Sequence, residues 1–100
     1  MELIENLFVA GNVTSPEAVV SRLRRDIPVD RLYCIVFFAD KKRLEILSSR
    51  ELFSGRYEGR PAKAAGIAMG RAEAVRLLAF MAEEALKDGR NAGDPEELIR

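Results

Sequence analysis

The sequence predicts an α+β fold of two layers, an antiparallel three-stranded sheet carrying two helices in the order α-β-β-β-α. Three observations lead there. "RLYCIVFFAD" is a continuous apolar run rich in β-branched and aromatic residues, the pattern of a buried strand. "RLEILSS" follows after the short turn "DKK", with Leu44 and Ile46 alternating against Arg43 and Glu45, which makes a hairpin. "AEAVRLLAFMAEEALKDG" is built of strong helix formers and closes with Lys87 and Gly89, as a helix end should.

The elements take their places in order. The opening segment is ambiguous: Leu3, Ile4, Leu7 and Phe8 have helical spacing, whereas "LFVAG" suits a short strand, and the balance leans to helix. In "TSPEAVVSRLRRD", Ser15 is placed to cap, Pro16 suits the first helical position, and Glu17 suits the positive end of the dipole. Val19, Val20, Leu23 and Ile27 then form one apolar stripe, with Arg22 and Arg25 opposite, until Pro28 ends the helix. A hairpin alone is marginal in water, so it needs a further strand. "AKAAGIAMG" is assigned that role, with residues 62–70 read as strand rather than as a helix from Pro61 that would bear two costly glycines. "RELFSGRYEGRP" reads as a loop, with Tyr57 its exposed aromatic. Residues 1–90 form one domain, and 91–100 a tail with a helical turn capped by Asp94 and begun by Pro95.

Composition narrows the chemistry. With 100 residues, 48% hydrophobic and 32% charged, the chain has the make-up of one globular domain. No apolar run is long enough to span a bilayer, and the start lacks a signal-peptide pattern, so the expected compartment is cytoplasmic. There is no histidine, which removes the usual side chain for proton transfer near neutrality and the His-based triads. The single Cys34 lies within the most apolar strand and reads as a buried small hydrophobe. Glu83–Glu84 and Glu96–Glu97 are adjacent pairs, which diverge by about 100° on a helix and do not converge on a substrate. Zinc and calcium motifs are missing, no cofactor is expected, and the balance leans against an enzyme.

Gly66 and Gly70 invite a nucleotide reading, but their spacing is G-x-x-x-G and no strand follows the next helix, so the dinucleotide fingerprint is not met. Close packing of strand on helix explains them more simply. What survives for binding is the helix start at Gly70 and Arg71, which together with Arg56 and Arg60 in the "SGRYEGRP" loop could hold a carboxylate or phosphate.

Charge offers a different clue. The net charge is zero, yet residues 20–63 carry eleven Lys/Arg against six Asp/Glu, a local +5. A basic surface of that segment would suit RNA, and the order helix–three strands–helix is shared with double-stranded-RNA-binding domains, an analogy of fold only. The main helix points elsewhere. Its apolar residues from Ala72 to Leu86 sweep about 220°, more than one sheet can cover, and Phe80 projects among Glu73, Arg76, Glu83, Glu84 and Lys87. Phe80, with Leu98 and Ile99 of the tail, is therefore the candidate interface. The function expected first is a non-catalytic protein-interaction module, self-associating as a homodimer. RNA binding is the alternative, and binding of a small anion near Arg71 comes third.

Overall fold

A computed structural model describes residues 1–99. Among them it shows four strands and four helices: β1 (Glu2–Val9), α1 (Pro16–Arg24), β2 (Leu32–Phe38), β3 (Arg43–Ser48), α2 (Ser49–Leu52), β4 (Ala62–Met69), α3 (Arg71–Lys87) and α4 (Pro95–Leu98). The domain is α+β, but the three-stranded antiparallel sheet with two helices is corrected to a mixed four-stranded sheet in the order β1-β4-β2-β3. β2 pairs antiparallel with β3 and β4, whereas β1 runs parallel to β4.

The missing strand is the opening segment, which is a strand and not a helix. Leu3 and Leu7 pack into the cluster on one face of the sheet, and Ile4 and Phe8 into the cluster on the other. A strand that is apolar on both faces gives neighbouring pairs of apolar residues, which imitate helical spacing. The pattern is further masked by an irregularity. Five steps along β1, from Leu3 to Phe8, match only two along β4, from Ala64 to Gly66. Glu5 and Asn6 in the middle stay exposed. Such a bulge at a sheet edge blunts the unpaired strand against further pairing.

Two apolar clusters follow from β2 being buried on both sides. Leu32, Cys34, Val36 and Phe38 join Leu23 of α1 and Leu52 of α2 on one face. Ile35 joins Ala74, Leu77 and Met81 of α3 on the other. Helices therefore cover both faces, and the expected two layers become three.

α1 ends at Arg24, short of Pro28, and Asp26 takes a positive φ of 57°. Ser15 makes no side-chain capping bond, and Ile27 is exposed. The short helix α2 takes Ser49 from the end of the expected strand and Arg50–Leu52 from the segment read wholly as loop, and its cap is the Ser48 hydroxyl accepting from the Glu51 N–H at 3.2 Å. Ser48 and Glu51 form the S-x-x-E pattern of a capping box, a legible signal. Ser49 is the buried polar side chain of the core. Its hydroxyl accepts from the Val29 N–H at 2.9 Å and donates to the Val29 carbonyl at 2.7 Å, which ties α2 to the chain entering β2.

β4 is a strand, as expected, and Gly66 lies beneath α3. A Cβ there would sit 3.1 Å from both Ile35 Cδ1 and Leu77 Cδ2. Gly70 makes the turn with φ 83°, and its N–H donates to the Arg31 carbonyl at 2.8 Å. In the tail, Asp94 accepts from the Glu96 N–H at 3.0 Å and Pro95 opens α4. Leu98 is buried and Ile99 packs on the α3-side cluster, while Arg100 lies outside the described residues.

Candidate interaction surface

The binding residues named from sequence do not converge. In the β2–β4 register Leu32 pairs with Met69 and Phe38 with Ala62, so Arg71 follows one end of these strands and Arg60 precedes the other. The six steps from Leu32 to Phe38 separate the ends by about 20 Å. At one end Gly70 and Arg71 share an open depression of about 450 Å³ with Arg31 and Arg50, and Arg50 lies 3.9 Å from Asp30.

At the other end Arg60 is engaged within the chain. Its Nε and Nη2 donate to the two Asp40 carboxylate oxygens at 3.2 and 3.3 Å. The guanidinium lies 4.2 Å from the Phe38 ring centroid and 5.6 Å from that of Tyr57, and Arg56 lies 5.9 Å from the Tyr57 ring. Donation from Arg60 holds the Asp40 carboxyl below its ordinary value. This cluster fastens the 53–61 loop over the end of the sheet. Tyr57, expected to be exposed in the loop, is half-buried against Phe38.

The basic residues of 20–63 are likewise dispersed. Arg31 and Arg50 line the depression by Arg71, Arg24 and Arg25 flank the groove between α1 and β1, and Lys41, Lys42 and Arg43 cap the hairpin turn. The helix–three strands–helix order behind the RNA analogy is replaced by the four-stranded arrangement.

Cys34 is fully buried in β2, and burial pushes its thiol up to about 12. A thiol with that raised value stays protonated in the folded chain while the unfolded chain ionises. Stability should therefore fall as pH rises above the ordinary value of 9.0. Labelling by a thiol reagent at about pH 8 is expected to proceed only at the rate of unfolding. Fast, stoichiometric labelling of folded protein would contradict the burial. Among the described residues no group of three or more His, Cys, Asp or Glu is placed to hold a metal. No helix among them is long and apolar enough to cross a membrane.

The feature that stands out lies on α3. Its sheet-facing side is Ala74, Leu77, Met81 and Ala85, all buried. Helical projection puts a second apolar line about 140° round from that face. It comprises Ala72, Val75, Ala79, Ala82 and Leu86, spaced 3-4-3-4 along the chain. Val75 is 48% exposed and Leu86 64%, Ala72 and Ala79 are exposed, and Ala82 is half-buried. Isolated exposed apolar residues are ordinary, whereas these five make one apolar line along the side of the helix away from the sheet.

Phe80 is not on this seam. Its ring meets that of Phe8 edge-on with centroids 6.5 Å apart, linking α3 to β1, and 47% of the residue stays exposed. Leu98 and Ile99 pack within their own chain. The 220° apolar sweep contains Val75 and Leu86 without separating the sheet-facing side from the outer one. Spacing does not separate them either, since the sheet-facing Ala74, Leu77, Met81 and Ala85 are spaced 3-4-4; the position of the sheet does. In comparisons with known proteins, no family model matches the chain, and no curated protein or solved structure is significantly similar to it.

Proposed function

We propose that this domain is a non-catalytic interaction module that self-associates as a homodimer through the outer face of α3. The observation that carries the reading is the apolar seam on α3 of exposed Ala72, Val75, Ala79 and Leu86 with half-buried Ala82 among them. The alanines allow close approach of a second helix, while Val75 and Leu86 supply the larger apolar surface. One helix face is a small interface, which places the association in the weak, reversible class.

Leu86→Glu tests it. Leu86 is 64% exposed, so the substitution should leave the fold and its circular dichroism intact. The intact chain is expected to rise in sedimentation equilibrium from 11.2 kDa toward twice that mass with concentration, and the variant to stay monomeric. A variant that associates as tightly as the parent would place the contact elsewhere.

A further inference from the structure

The charges beside the α3 seam give the pairing a direction, an inference that rests on the self-association just proposed. With Ala72, Ala79 and Leu86 as a positions and Val75 and Ala82 as d positions, the flanking e positions are Arg76 and Glu83. The flanking g positions are Arg71, Leu78 and Ala85. Arg71 and Arg76 are exposed, as is Glu83.

The two possible orientations use these charges oppositely. In a parallel pair each g residue faces the e residue five further along the partner helix. That sets Arg71 against the second copy's Arg76, a like-charge contact made twice by symmetry. In an antiparallel pair e residues face e residues and a layers face d layers. In the register that centres the two-fold axis between Ala79 and Ala82, Val75 meets the second copy's Leu86, Ala79 meets its Ala82, and Arg76 comes beside its Glu83, again twice. The antiparallel arrangement therefore aligns the largest apolar residues with each other and pairs opposite charges on the rim.

We propose that the partner on the α3 face is a second copy of this chain docked antiparallel, with Arg76 and Glu83 reading the orientation across the two-fold axis. The pair acts on orientation more than on raw affinity, because rim charges are solvated. Arg76 also pairs within its own helix with Glu73, which places its guanidinium on the outer surface and not in the core.

Arg76→Glu discriminates because its effect has opposite signs in the two orientations. In the antiparallel dimer it sets carboxylate against carboxylate twice, and the dimer dissociation constant from sedimentation equilibrium is expected to rise about tenfold at low salt. In a parallel dimer it turns Arg71–Arg76 repulsion into attraction, and the constant would fall. Arg76→Glu combined with Glu83→Arg rebuilds the antiparallel pair and should return the constant to near the parent value. The double variant keeps the repulsion from Glu73 that Arg76→Glu introduces within the helix, so its recovery assigns the loss to the contact between chains. A parent dimer whose constant is unchanged or lowered by Arg76→Glu overturns the antiparallel docking and leaves self-association standing. A parent chain that stays monomeric at about 1 mM overturns both.

Discussion

Phe38→Ala is expected to destabilise the domain by about 3–5 kcal/mol, the range for losing a buried phenylalanine. Phe38 is fully buried at the end of β2, in the cluster shared by the sheet, α1 and α2. Its ring is also the platform for the 53–61 loop, with the Tyr57 centroid at 5.4 Å and the Arg60 guanidinium at 4.2 Å. Truncation would open a cavity and release the loop together, because Tyr57 and Arg60 lose the surface on which they stack. Domains of this kind have a total stability of only about 5–15 kcal/mol, so the variant should show a greatly reduced urea midpoint. A midpoint within experimental error of the parent would contradict the placement of Phe38 in the core.

Gly66→Leu should be comparably severe for the opposite reason. A Cβ at Gly66 would already lie 3.1 Å from Ile35 and from Leu77, so the position has no room beneath α3 for anything beyond a Cβ. A leucine must displace the helix from the sheet or force its neighbours off their rotamers. Overpacking of this kind costs about 1–3 kcal/mol and more when backbone must move. Gly66→Ala separates sterics from backbone effects. The two atoms it meets most closely, Ile35 Cδ1 and Leu77 Cδ2, are side-chain ends that can give by a few tenths of an ångström, and φ at Gly66 is not positive, so alanine should be far better tolerated. Thermal melts of the two variants check this. Equal stability of Gly66→Leu and the parent would show that α3 does not sit where the glycine allows it.

The alanine and glycine content of 62–70 is thus legible in its physical meaning: small residues let a helix lie close on a strand. The hairpin, the burial of β2, the turn at Gly70 and the whole of α3 are legible for similar reasons, since each rests on local pattern. The second covering layer that buries β2 on both faces is not legible. β1 is not, because its apolar residues serve both faces and its middle bulges away from β4, which together erase the alternation that marks a strand. Its partner is also about sixty residues distant, and a parallel pairing at that separation leaves no local turn signal. The two sides of α3 cannot be divided by composition alone. Alanine and leucine face both the sheet and the outside, and only the position of the sheet separates Leu77 from Leu86. The charges at Arg56 and Arg60 illustrate a related limit: a glycine-rich loop with two arginines suggests a binding site, whereas Asp40 and Phe38, distant in sequence, already occupy one of them.

The outer face of α3 as the surface of self-association is most directly tested by amide NMR spectra of the intact chain recorded over a dilution series. Concentration-dependent shifts are expected along Ala72, Val75, Ala79, Ala82 and Leu86 and their immediate neighbours, with α1 and the β1 edge unchanged. Spectra that do not move with concentration, or shifts confined to the β3 edge or to α1, would contradict it.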